Sequence, residues 1–156
     1  MAAEATNTAN RLRLTGISFV GLAIGIWDFV GEAACALSPK IGEEVLAFMK
    51  QELGLEINGQ NPEDLLAEIG QLFVDEFNFA SDACVESTGN TITIRIKDYA
   101  GLDLMEQLET AGVNKPFICP IMNTGIAAIR QLGLRPHVKI EKWEAGKGMI
   151  GTFRLI

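Results

Sequence analysis

The stretch that decides the fold is residues 82–99, with the sequence DACVESTGNTITIRIKDY. Its apolar side chains fall on alternate positions, which is typical of a β-strand with one buried face. These positions are Ala83, Val85, Ile92, Ile94 and Ile96. The Thr-Gly-Asn at 88–90 separates the two runs, and glycine and asparagine are favoured in the tight turns of hairpins. Residues 82–99 therefore predict a β-hairpin.

A second hairpin is predicted at the end of the chain. Residues 138–143 and 149–156 have the composition of strands, and a glycine-rich turn lies between them. Two hairpins placed side by side make a four-stranded antiparallel sheet.

Helical patterns fill the rest of the chain. Residues 14–37 are densely apolar with repeated glycines, which predicts a buried helix, since only about twelve apolar residues precede Asp28 and a membrane span needs roughly 20. A second helix begins at Ser38 and ends at Gly54, and a third begins at the Asn61 cap. Shorter helices are predicted at 102–109 and 121–131. The fold class is therefore α+β, with the four-stranded antiparallel sheet formed by two hairpins and four to five helices packed on one face.

The bulk composition limits the function classes. A chain of 156 residues suits one domain, predicted at 14–156 after a disordered tail at 1–13. The net charge of −7 argues against a nucleic-acid surface and against docking on an anionic membrane. Three widely spaced cysteines and the lack of a signal-peptide pattern indicate a reducing cytoplasm.

Catalytic patterns are weak throughout the chain. His137 is the single histidine, and a pair with Cys119 has no marked third group to orient it. The Gly-x-Gly at 146–148 lies between strands and does not open a helix, so it predicts a turn and not a dinucleotide loop. We therefore expect no catalytic residues and no cofactor.

Three segments carry a family resemblance. They are Pro-Lys-Ile-Gly-Glu-Glu-Val-Leu at 39–46, Cys119 with Gly125 at the fifth helix, and the closing hairpin at 141–153. In this order and spacing they resemble the 4-vinyl reductase-type domain superfamily, which is related to the small subunits of the TRAPP vesicle-tethering complex. The resemblance covers residues 14–156.

The resemblance implies a zinc site in some members, with a Cys before the fifth helix and a Glu and two Cys in the final hairpin. Cys119 and Glu141 match the first two ligands, whereas Glu144 and Gly151 stand near the positions of the two cysteines. One thiolate and two carboxylates are a poor ligand set for tetrahedral zinc. We expect no metal, and interpret Cys119 and Glu141 as a vestigial metal position. Alternatively, Cys119 is a buried apolar residue and Glu141 lies on a solvated strand face.

The resemblance also implies a hydrophobic pocket between helices and sheet. Eight large side chains are candidates for its lining: Phe19, Trp27, Phe48, Phe73, Phe77, Phe117, Ile121 and Trp143. The alternative is that these eight residues fill an ordinary core.

Two functions from different classes follow. The first is a non-enzymatic module that binds a small hydrophobic ligand and forms a homodimer through its first helices, as the resemblance implies and the apolar segment 16–31 favours. The second is a TRAPP-like scaffold subunit that assembles with related chains. A third, suggested by the family name alone, is an accessory protein of a tetrapyrrole reductase.

Overall fold

The computed structural model describes residues 2–156, with side chains from residue 4 onward. The helices are α1 (Ala2–Val30), a 3-10 helix (Gly31–Leu37), α2 (Ser38–Leu53), α3 (Pro62–Asp75), α4 (Leu102–Thr110) and α5 (Pro120–Gln131). The strands are β1 (Asp82–Thr88), β2 (Thr91–Lys97), β3 (Pro136–Trp143) and β4 (Gly148–Leu155). This order of elements confirms the predicted α+β class.

Both predicted hairpins form, and they meet through their second strands. The sheet order is β1-β2-β4-β3, and every neighbouring pair is antiparallel. In the central pair, Ile92 lies opposite Phe153 and Ile94 lies opposite Gly151. Ile92, Ile94 and Phe153 are buried, so the alternation that predicts the hairpins also defines the core face of the sheet.

Helices α3 and α5 cover this face of the sheet, and α2 packs on α5. The core between the layers contains Leu66, Ile69 and Ile121, each fully buried. At the crossing of α2 and α5 the backbones approach closely, because a Cβ at Gly42 would lie 1.8 Å from the carbonyl oxygen of Asn123. Only a glycine fits at this point of contact.

The helix ends follow the predicted signals, with one exception. Asn61 caps α3 by accepting a hydrogen bond from the backbone N–H of Asp64 at 2.9 Å, and Gly54 ends α2 in the left-handed conformation with φ of 67°. Ser38 does not cap α2, because it is itself helical and its hydroxyl donates to the carbonyl oxygen of Phe117 at 3.1 Å.

Helix α1 differs from the prediction in both length and exposure. It begins at Ala2, so the predicted disordered tail at 1–13 is helical over the residues that the structure describes. Alanine-rich sequence has high helix propensity, which lets the helix extend beyond its apolar part. The helix ends where Gly31 takes a φ of 57°, and 31–37 forms the separate 3-10 helix. The expected burial of α1 is wrong for most of its length: Val20 and Ala23 are its buried residues among the described side chains.

The two buried residues of α1 belong to a small cluster beside the main core. Its other buried members are Ala34, Leu108, Val113 and Phe117. The main contacts of α1 are therefore with α4 and the 3-10 helix, and not with the sheet. This cluster covers one side of α1. Most of the remaining surface of the helix is exposed.

Candidate functional site

Helix α1 exposes a row of large apolar side chains. The exposed fractions are 70% for Leu12, 41% for Phe19, 61% for Leu22 and 91% for Phe29, and Ile26 is half-buried. Single exposed apolar residues are common on proteins, whereas a contiguous row is typical of an interaction surface. We call these five residues the α1 stripe.

The spacing of the α1 stripe places it on one face of the helix. Positions 12, 15, 19, 22, 26 and 29 are separated alternately by three and four residues, and Thr15 is the single polar member. This is the heptad spacing of the contact positions in paired helices. The heptad spacing is the signal in the sequence that predicts this surface, and the interpretation of 14–37 as a buried helix missed it.

The charged residues of α1 lie outside the middle of the helix. Glu4, Arg11 and Arg13 come before residues 14–27, Asp28 comes after them, and residues 14–27 contain no charged side chain. A surface of this kind can be buried without removing a charge from water.

The same segment also has the composition of a membrane span. By length and composition alone, the helical residues 4–53 include a window apolar enough to cross a membrane, and 11% of that window is buried. A helix that packs against another protein can have this composition as well.

The structure places the eight predicted pocket residues in several different environments. Phe73 and Ile121 are buried in the main core, and Phe77 packs against it. Phe117 and Trp27 belong to the cluster beside α1, with ring centroids 6.2 Å apart. Phe19 and Phe48 are exposed. Trp143 lies over the turn at Gly146 in the second hairpin. The fold brings together at most three of these residues at one place.

Cys119 lies in the main core at the start of α5. Its thiol is 3.5 Å from the hydroxyl of Tyr99 and 3.7 Å from the sulfur of Met149. Burial raises the pKa of the Cys119 thiol and raises the pKa of the Tyr99 hydroxyl well above its ordinary value. A buried thiol that stays protonated is a poor nucleophile and a poor metal ligand.

Glu141 does not approach Cys119. It lies on the exposed face of β3, on the opposite side of the sheet from the core, and forms an ion pair with Lys139 at 2.8 Å. His137 lies on the same exposed face of β3, four residues before Glu141. It is therefore also on the opposite side of the sheet from Cys119.

No group of three or more potential ligands converges among the residues that the structure describes. The three cysteines lie apart: Cys119 is in the main core, Cys84 is exposed on β1, and Cys35 is in the 3-10 helix. A thiolate site for zinc or iron needs several such residues at one point. The described residues therefore do not fit a thiolate metal centre.

Comparison with solved structures gives a likeness in fold. A trafficking protein particle complex subunit 3 from Naegleria fowleri, covalently bound to palmitic acid, superposes with a TM-score of 0.64 and 13% identity, covering 97% of this chain and 96% of that chain. An iron(II) H-NOX protein from K. algicida gives a TM-score of 0.44 and 17% identity over 78% of this chain and 63% of that chain. The first likeness agrees with the expected relation to TRAPP small subunits at the level of fold. The finer relation to 4-vinyl reductase-type domains stays a prediction.

Comparison with protein families identifies the sequence more directly. No curated protein matches the chain. Residues 14–155 match the family described as "Putative rubredoxin C-terminal domain", so nearly the whole chain is included. The chain belongs to this rubredoxin C-terminal domain family.

Proposed function

We propose that this chain is a non-enzymatic assembly module that forms a homodimer through the α1 stripe. The observation that supports the proposal is the exposure of the stripe, in particular of Leu22 and Phe29, on a helix that the rest of the chain leaves largely uncovered. Large exposed apolar rows are unfavourable in water and are stabilised when a partner covers them.

A second copy of the chain suits the stripe better than an unrelated surface does. Heptad spacing is the pattern of helices that pair with similar helices. In an antiparallel pair, Leu12 would lie near Phe29 of the second copy, and Phe19 would lie near Leu22 of the second copy. Such an interface is self-complementary, as the two-fold axis of a homodimer requires.

Introducing a charge into the stripe is expected to separate the dimer. Leu22→Glu would bury one carboxylate from each copy at the interface, so the dissociation constant is expected to rise by about 100-fold, or about 2.7 kcal/mol. Sedimentation-velocity ultracentrifugation over a dilution series measures this change directly.

The matched control is Ile17→Glu. Ile17 is also exposed, at 55%, but it lies on the opposite side of the same helix from the stripe. The control should dimerise like the unchanged chain. Equal weakening by both substitutions would contradict an interface at the stripe, and a monomer at all concentrations of the unchanged chain would remove the proposal.

A second candidate function is the binding of a small hydrophobic molecule beside Trp27 and Phe117. The two stacked rings belong to a cluster that is separate from the main core, and Trp27 remains half-buried there. The N. fowleri protein of the same fold holds palmitic acid, which supports a fatty acid as the first ligand to try.

Tryptophan fluorescence tests this second candidate. The chain has two tryptophans, so Trp143→Phe leaves Trp27 as the reporter and Trp27→Phe leaves Trp143 as its control. Palmitic acid below its micellar concentration is expected to shift the emission of Trp27 to shorter wavelength, because the ligand would exclude water from the indole. An equal shift in both variants, or none in either, would count against a ligand at this cluster.

A further inference from the structure

A groove runs between α1 and α4, with a volume of about 570 Å3. Seven residues line it: Val20, Ile24, Asp103, Glu106, Gln107, Thr110 and Ala111. The two residues from α1 are apolar and form the floor, whereas most of those from α4 are polar and form the rim. A groove between two helices is a common docking site for a third helix.

The groove lies on a different side of α1 from the stripe. Ile17 and Ile24 are seven residues apart and share a face, and this face is turned nearly opposite to Phe19 and Leu22. The groove floor therefore continues along α1 through Ile17, which is 55% exposed. A homodimer through the α1 stripe would leave this second apolar surface uncovered.

The charges at the rim select the kind of partner. Asp103 and Glu106 line the groove, and no Lys or Arg does so among the described residues. The rim already attracts one cation of the chain, because the ammonium group of Lys142 from β3 lies 2.5 Å from a carboxylate oxygen of Glu106. Hydrogen bonds with the carboxylates of Glu106, the larger cause, and of Glu144 raise the pKa of Lys142, so its ammonium group stays protonated. Asp103 has no such partner in the structure described.

We propose that the groove between α1 and α4 binds a basic amphipathic helix of a partner protein. Apolar residues of that helix would cover Ile24 and Ile17, beside the buried Val20, and a Lys or Arg on its flank would pair with Asp103. The partner helix would thus complement the groove both in charge and in apolar surface. Grooves between helices select their helical partners by these two properties. The proposal goes beyond homodimerisation, since it gives each copy a second and different docking surface.

The test uses the full chain and three fluorescein-labelled model peptides of 18 residues. The first peptide has leucine at helical heptad positions and lysine elsewhere, the second replaces lysine with glutamate, and the third replaces leucine with serine. Fluorescence anisotropy is expected to show saturable binding of the leucine–lysine peptide alone. Binding of the leucine–glutamate peptide with similar affinity would overturn the charge selection, and similar binding of the serine–lysine peptide would overturn the role of the apolar floor.

Two charge reversals on the same helix locate the site. Asp103→Lys is expected to weaken binding of the leucine–lysine peptide by about tenfold or more, because it places like charges together at the rim. Glu109→Lys makes the same change in net charge, but Glu109 is exposed and does not line the groove, so an effect within about twofold is expected. Equal weakening by the two substitutions would show a general effect of charge and would overturn the proposed site.

A membrane is the other candidate for covering this surface. Co-sedimentation of the chain with phosphatidylcholine vesicles, unchanged by Asp103→Lys, would overturn the proposal in favour of a lipid surface. The peptide assay is repeated with Leu22→Glu, in which the proposed homodimer is disrupted. Peptide binding should persist there, so a failure of the groove and a failure of the homodimer are distinguished.

Discussion

Replacing Gly42 with alanine is expected to destabilise the fold by about 3 kcal/mol or more, among the larger effects of a single methyl group. The new Cβ would lie 1.8 Å from the carbonyl oxygen of Asn123 and 2.9 Å from the Cβ of Ala127. The first of these atoms belongs to the backbone of α5 and cannot rotate away, so α2 and α5 must separate. Thermal unfolding followed by circular dichroism should show a midpoint lower by roughly 6–12 °C.

Gly21→Ala is the matched control for this substitution. Gly21 is also inside a helix, but apart from its chain neighbours and the backbone of its own helix turns, no atom lies within 4 Å of its Cβ position. Alanine has the higher helix propensity, so the control is expected to be more stable by about 0.5–1 kcal/mol. The same chemical change thus has opposite signs at the two sites. A Gly42→Ala variant as stable as the unchanged chain would mean that the two helices do not approach as closely as the structure shows.

Replacing Phe153 with alanine is expected to cost about 3–5 kcal/mol. The ring is fully buried on the core face of β4, where Ile92 of β2 and Val138 of β3 are its neighbours across the sheet. It also lies against Gly125 of α5, so its loss leaves a cavity between sheet and helix. Chemical denaturation in urea measures the change in the free energy of unfolding.

Phe48→Ala provides the comparison for Phe153. Phe48 is on α2 and is 51% exposed, so its truncation is expected to change stability by less than about 1 kcal/mol. A large loss of stability in Phe48→Ala, with little in Phe153→Ala, would contradict the packing of the layers described above.

The sheet could be predicted from the sequence because strand alternation is a local property. Ile92, Ile94 and Ile96 define one face of β2 without reference to distant residues. The turn at 88–90 determines which strand pairs with β2 on one side. The sequence does not reveal the order of the two hairpins in the sheet, since the pairing of β2 with β4 joins residues about sixty positions apart. The role of Gly42 likewise depends on a contact between residues far apart in the sequence. A glycine is required inside α2 because the carbonyl oxygen of Asn123 lies beside it.

The candidate site was harder to predict than the fold, and α1 shows why. Its sequence is apolar on nearly every side, and an apolar helix suits a protein core as well as it suits an interface. Composition favours burial for Phe19 and Leu22, yet both are exposed, and no element among the described residues covers them. The same reasoning applies to the eight residues predicted to line a pocket. Their residue types predict apolar surroundings, but not which of the eight side chains contact one another.

The position of α1 outside the main core has a consequence for cooperativity. Its main contacts are with α4 and the 3-10 helix, so the buried layer between the sheet, α3 and α5 does not depend on it. Separate packing units can open at different free energies. We therefore expect α1 to unfold locally while the sheet, α3 and α5 stay folded. A molecule bound to α1 would raise the free energy of this local unfolding without changing the packing of the main core.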